Sequence, residues 1–223
     1  MVRQLRPADI PEAARLHAAV LEVEFVSRAG VPFLETYYQA WSGAEAGIAL
    51  VAVAPDGSLA GLLLGATDSA GHSAAMVRNH GRQLTIGLVR AAIRNPRFGR
   101  ELVRTRAGRY VKGVARVVRR DRSAPAAGSA AEPIGEVTHL LVAPHWQGRA
   151  VGPTLLAAAE ELAAGAGLHQ LELVTPVDDV RARRFYERRG WSPAGEVTSS
   201  SGEDFVRYRR QLDPGDGSPT AAS

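Results

Sequence analysis

IGEVTHLLVAPHWQGRAVG, residues Ile134 to Gly152, runs directly into PTLLAAAEELAAGAG, and this join sets the reading of the whole chain. The apolar first half reads as a buried strand, Pro144 turns the chain, and a small-residue loop with Gly148 and Gly152 opens a helix. Leu155, Leu156, Ala159, Leu162 and Ala163 share one face of that helix, and Gly165 and Gly167 end it. A strand, a glycine loop and a helix start in that order can hold a phosphate. The first-turn N–H groups have no intrahelical partner, and the helix dipole favours negative charge there.

Downstream, HQLELVT reads as a strand. Asp178 or Asp179 then caps a helix with Ala182, Phe185, Tyr186 and Arg189 on one side, closed by Gly190. DFVRYRRQL is a last strand, and DPGDGSPTAAS (213–223) has the composition of a disordered tail. Upstream, a short strand over Val2 to Leu5 precedes a helix that Asp9 is placed to cap, with Pro11 in its first turn, and VPFLETYYQAW has helical periodicity. IALVAVA and LAGLLLGAT, separated by Pro55-Asp56-Gly57-Ser58, form a hairpin; both are so apolar that the sheet must be covered on both faces. Positions 70–132 read as an insertion of Arg-studded helices broken near Asn95-Pro96 and Gly108. Leu84, Leu88, Ala91 and Ala92 make one apolar stripe, Val111, Val114, Ala115 and Val118 another, and SAPAAGSAAEP is a linker back to the sheet.

Composition narrows the chemistry. At 223 residues and 45% hydrophobic content, the chain can bury one core of ordinary size with an insertion. The absence of cysteine removes disulfides, thiolate metal sites and cysteine nucleophiles, and six scattered histidines without HExxH or HxH spacing argue against a metal. No run of about eighteen apolar residues and no signal-peptide core is present, so a cytoplasmic protein is expected. The net charge of +4 hides a segregation: Met76 to Arg122 holds fourteen basic and two acidic residues, leaving thirteen basic and twenty-one acidic elsewhere.

LLVAPHWQGRAVGPTLL and LELVTPVDDVRARRFYERRGW resemble the coenzyme-A-binding core of the GNAT family of N-acetyltransferases. In that family a strand ending in V-x-P leads into [QR]-x-x-G-x-[GA] at a helix start, and N-x-x-A-x-x-F-Y-x-x-x-G-[FWY] follows about thirty residues later. The resemblance is specific over Ile134 to Pro193, compatible with Val2 to Thr67, and silent on Ser69 to Pro133. It implies an α/β (α+β) fold: a mixed, mostly antiparallel twisted sheet of about six to seven strands flanked by helices. The composition and periodicity of 70–132 add a helical insertion between the third and fourth strands, all in one domain over 1–212.

The same resemblance implies acetyl transfer from acetyl-coenzyme A to a primary amine by direct attack in a ternary complex, with no metal. Gln147, Gly148, Arg149, Ala150, Val151 and Gly152 would hold the pyrophosphate. A bulge in Val137 to Val142 would splay that strand and leave amides near Leu141 and Val142 for the pantetheine arm and thioester carbonyl. Tyr186 matches the tyrosine that protonates the departing thiolate. Glu136 is the first candidate base; His139, assigned by strand alternation to the face of Val137 and Leu141, is the second, and Asp68 the third. The chain departs from the pattern at Ala150, where glycine is usual, at Pro153, which removes a donor, and at Asp179, where asparagine is usual. Alanine at a helix-compatible dihedral is tolerable there, whereas a left-handed Ala150 would be strained.

Other readings stay open on the sequence alone. A non-catalytic acyl-coenzyme-A-binding sensor acting through the basic helices is the alternative to an enzyme. The basic insertion reads as a water-facing lid or homodimer surface, as a site for an anionic substrate, or as a peripheral contact with an acidic membrane; no nucleic-acid motif accompanies its charge. The acceptor reads as an amino sugar or other small amine ahead of a protein N-terminus. Trp146 and Trp191 read as packing anchors.

Overall fold

The computed structural model describes residues 1–21, 25–103, 134–199 and 202–212. Its elements are β1 (Val2–Gln4), α1 (Ile10–Val20), α2 (Phe25–Arg28), α3 (Val31–Ser42), β2 (Gly47–Val53), β3 (Leu59–Ala66), α4 (Ser69–Arg94), α5 (96–103), β4 (Gly135–Val142), α6 (Val151–Gly165), β5 (Gln170–Pro176), α7 (Val180–Glu187), β6 (Ser192–Thr198) and β7 (Asp204–Gln211). The seven strands lie in the order β1-β2-β3-β4-β5-β7-β6, and β4 with β5 is the parallel pair in an otherwise antiparallel sheet. This is the mixed, mostly antiparallel sheet expected, with helices α4 and α5 inserted between the third and fourth strands.

β3 is buried at every position because helices cover both sheet faces. Leu63 points to the core made with α6, around Leu155, Leu156 and Ala159. Leu62 and Leu64 point to the opposite core, made with Ala13 and Ala14 of α1, Leu34, Tyr38 and Trp41 of α3, and Ala75 and Met76 of α4. Continuous apolar strands are the sequence record of that double cover. Within the hairpin, Asp56 closes the turn by accepting from the Ser58 N–H at 3.0 Å, and Gly57 takes a positive φ of 87°.

The inserted helices are packed rather than hung. Asp68 caps α4 by accepting from the Gly71 N–H at 2.9 Å, and the stripe read at Leu84, Leu88, Ala91 and Ala92 packs with Phe33 and Phe98. The break at Asn95-Pro96 is where it was read, and the Asn95 side chain starts α5 by accepting from the Phe98 N–H. The break at Gly108, the Val111 to Val118 stripe, the linker and the tail lie outside the described residues.

Two local readings change. Asp9 stands at the head of α1 but makes no side-chain cap; its carboxylate takes two bonds from Arg3, at 2.6 and 2.9 Å, and one from the Arg6 N–H, which holds its pKa below the ordinary carboxylate value. SPAGEVT, given no strand in the sequence, forms the edge strand β6 beside β7. Pro193 and Gly195 conceal it, and an edge position with a register shift between Pro193 and Glu196 tolerates both.

β4 lies close against β3. A Cβ at Gly65 would stand 2.6 Å from the Glu136 carbonyl oxygen, a backbone atom that cannot swing aside. Gly65→Ala should therefore destabilise the fold by about 1–3 kcal/mol, measured by urea unfolding; a loss under about 0.3 kcal/mol would mean that β4 has room to retreat.

Candidate active site

The site begins with one unmatched residue. Leu64 of β3 pairs with His139 and Gly65 pairs with Val137, so Thr138 is an extra residue in β4, a β-bulge. On the other edge, β4 pairs with β5 only at Gly135–Leu171 and Glu136–Glu172. Beyond Glu136 the two parallel strands part, while β5 continues paired with β7 through Pro176. Peptide groups on the facing edges of the opening have no strand to bond.

The bulge also reverses the faces. Val137 enters the core beneath α6, whereas Leu141 enters the core of α1 and α3, and His139 packs edge-on to His17 at 4.9 Å. His139 therefore does not share a face with Val137, as plain alternation required; the inserted Thr138 shifts the phase between them. The same ladder assigns the peptides. Ala143 donates its N–H to the Ala60 oxygen at 2.9 Å, so by antiparallel alternation the Leu141 peptide faces β3 while those of Leu140 and Val142 face the opening.

After β4 the chain makes a single 3-10 turn, Pro144–Trp146, and enters the loop 147–150. Gly148 has φ 75°, and Ala150 sits in the left-handed region at φ 58°, ψ 11°, the strained one of the two conformations open to it on the sequence. Strain of that kind costs about 1–2 kcal/mol. In return the chain turns sharply into α6, where the N–H groups of Val151 and Gly152 stand in the first turn without intrahelical partners and Pro153 has none to offer. Thr154 tightens the turn, both its N–H and its hydroxyl donating to the Ala150 carbonyl, at 3.1 and 2.8 Å.

α7 closes the other side. Asp179 is its cap, accepting from the Ala182 N–H at 2.9 Å. Arg181 reaches across to the loop and donates to Gln147 Oε1 at 3.0 Å, bringing a positive charge beside it that offsets Asp179. Phe185 seats the start of α6, since a Cβ on Gly152 would lie 3.4 Å from its ring. Tyr186 packs against Phe185, Trp191 and Tyr208, with ring centroids 5.1, 6.0 and 6.1 Å away. Burial pushes its phenol pKa up to about 12, and the Asp179 charge adds to the shift.

A parted parallel pair, a loop of amides at a helix start beside the parted strands and α7, and a partly buried phenol together suit a long, anionic ligand. The acetyltransferase (GNAT) family profile matches residues 19–191. The chain belongs to that family.

Aminoalkylphosphonate N-acetyltransferase of Salmonella typhimurium is 45% identical over 58 residues, a match spanning 26% of this chain and 38% of that protein. Among solved structures, the ribosomal-protein-S18-alanine N-acetyltransferase of Escherichia coli superposes with TM-score 0.55 at 12% identity, over 95% of this chain and 93% of that one. Mutant forms of the spermidine/spermine N-acetyltransferase SpeG of Vibrio cholerae give 0.54 at 15% identity, over 95% and 94%. At such identities the structural likeness is one of fold.

On the GNAT fold of this chain, the other sheet face carries the candidate bases. Glu136 occupies the last paired rung before the opening and accepts from the Ser69 hydroxyl at the start of α4. His139 is buried, with Tyr37 Oη 3.4 Å from its Nε2. Asp68 spends its carboxylate on the α4 cap. Trp146 packs partly buried beneath the Arg149 guanidinium, and Trp191 is buried with its Nε1 donating to Glu160 at 3.0 Å. Sequence reasoning missed Ser69 and Arg181; a hydroxyl at a helix start after a strand-ending Asp, and an arginine two residues after a cap, were the signals available. Among the described residues no group of three or more His, Asp or Glu is placed to hold a metal.

Ala150→Gly should relieve the left-handed strain. After allowing about 0.4–1 kcal/mol for the added freedom of the unfolded chain, a net stabilisation of about 0.5–1 kcal/mol is expected in urea unfolding. A destabilised variant would mean that the alanine is not strained.

Proposed function

We propose that this protein transfers an acetyl group from acetyl-coenzyme A to a primary amine by direct attack in a ternary complex. The observation that carries this is the parting of β4 from β5 immediately beyond Glu136, beside the 147–152 loop and Tyr186. Acetyl-coenzyme A supplies the acetyl group as a thioester, whose C–S bond breaks as the bond from the amine nitrogen to the carbonyl carbon forms.

In this reading the amides from Gln147 to Gly152 hold the pyrophosphate, helped by the positive end of α6 and by Arg149 and Arg181. Val142, with its peptide turned to the opening, aligns the pantetheine arm and aims an N–H at the carbonyl oxygen, a role typically worth about a hundredfold or more in rate. Leu141, whose peptide is committed to β3, contributes by fixing the strand. Glu136 takes the proton of the incoming amine, directly or through water, and Ser69 orients its carboxylate. Tyr186 faces the departing sulfur. A phenol near 12 is a weaker acid than a thiol near 8.5, so full proton transfer runs uphill and its contribution is a hydrogen bond that stabilises the thiolate. The acceptor that fits best is a small amine, an amino sugar or an amine bearing an anionic group, for which the name of the Salmonella relative is the supporting analogy.

Calorimetry should detect acetyl-coenzyme A at submillimolar concentration, and a panel of small amines should release free thiol above hydrolysis; no binding would remove the proposal, whereas binding without thiol release would make the protein a sensor. Tyr186→Phe should lower kcat at least about tenfold with acetyl-coenzyme A affinity changed less than about twofold. Because the raised pKa keeps the phenol protonated, kcat/KM should show no falling limb from Tyr186 below about pH 10. A wild-type falling limb near pH 8 that vanishes in the Phe variant would contradict the raised phenol pKa. Glu136→Gln should reduce kcat by about a hundredfold; an unchanged rate would move the base elsewhere.

A further inference from the structure

The second half of α4 is apolar on two sides. Leu84, Leu88 and Ala91 face α3 and are accounted for by the core around Phe33. Ile86, Val89 and Ile93 follow each other at spacings of three and four residues, so they line a different face of the helix, and they are 40%, 51% and 74% exposed. Three large aliphatic side chains aligned in water are an exposed stripe of the kind that marks an interaction surface.

Charge decides what the surface fits. The helices α4 and α5 expose Arg78, Arg82, Arg90, Arg94, Arg97 and Arg100, against the single acid Glu101, which is paired to Arg28 at 2.7 Å. Arg82 lies one turn before Ile86 on the same face, and Arg90 stands beside the stripe. A second copy docked face to face would bring arginine against arginine. The chain's own continuation, 104–122, has eight basic residues and one acidic, so it offers the stripe no complementary charge. An apolar strip bordered by arginines is the arrangement that enters the headgroup layer of an anionic bilayer, aliphatic side chains downward and guanidinium groups on the phosphates.

We infer that α4 docks this protein peripherally on anionic lipid surfaces through Ile86, Val89 and Ile93, with the flanking arginines binding lipid phosphates. No described helix is long and apolar enough to cross a membrane, which agrees with attachment rather than spanning. The inference does not depend on the acetyl-transfer reading.

The test is flotation of the full chain with vesicles of phosphatidylcholine alone or with about one third phosphatidylglycerol. Binding to the anionic vesicles is expected, weakened at least fivefold on raising salt from about 0.1 M to about 0.5 M, with little binding to neutral vesicles. The triple substitution I86S, V89S and I93S should lower anionic-vesicle binding at least tenfold, and R82E with R90E should do the same, both with the thermal midpoint close to that of the parent because these side chains are exposed. Failure to bind anionic vesicles overturns the inference. So does binding that survives the serine substitutions, which would be charge alone, and so does a dimer in light scattering that the serine substitutions abolish.

Discussion

The extra residue at Thr138 governs the site. A parallel pair buried under helices would ordinarily bond along its whole length, because peptide groups left unmatched in an interior are costly. The bulge bends β4 away from β5 after one paired stretch at Gly135 and Glu136, leaving the peptides of Leu140 and Val142 turned into an opening. Those groups bond to something other than a strand, as the Val142 carbonyl does by accepting from Gln147 Nε2 at 3.4 Å. The 147–150 loop, the start of α6 and the face of α7 are arranged around that gap.

The two faces of the sheet then divide the work. Beneath α6 and α7 lie the loop amides, Arg149, Arg181 and Tyr186, a set suited to phosphates and sulfur. Beneath α1, α3 and α4 lie Glu136, His139 and the aromatic rings of Tyr37, Tyr38 and Trp41, a set suited to an amine. The gap between β4 and β5 lies between the two sets, beyond the last paired rung at Glu136. Asp179 caps α7, and Arg181 beside the loop offsets its negative charge.

Much of this was legible in the sequence where side-chain chemistry has local causes. The apolar runs on either side of Pro55-Asp56-Gly57-Ser58 imposed a doubly covered hairpin, and the glycine loop before Leu155 and Leu156 imposed a helix entry. The phase of β4 was not legible, since a bulge leaves no mark in an alternation pattern until the partner strand is known, and His139 was assigned with Val137 for that reason. Strand β6 escaped because edge position overrides the aversion of strands to Pro193 and Gly195. Asp9 illustrates competition: a residue fit to cap α1 is captured by Arg3, a stronger charged partner that the sequence does not place beside it. The Ser69 bond to Glu136 joins residues sixty-seven apart, beyond the reach of any local rule.

That bond gives α4 a mechanical property. A helix of 26 residues is about 39 Å long, so a tilt of about 5° about its start carries the far end about 3 Å. Its start is fastened to Glu136, and its far half is packed through Leu88 onto Phe33 of α3, the same helix that presents Tyr37 to His139. Leverage on α4 cannot be absorbed at one place. It meets two arms that end on Glu136 and His139, three positions apart in β4, so the helix connects the outer surface of the protein with the strand at the centre of its sheet.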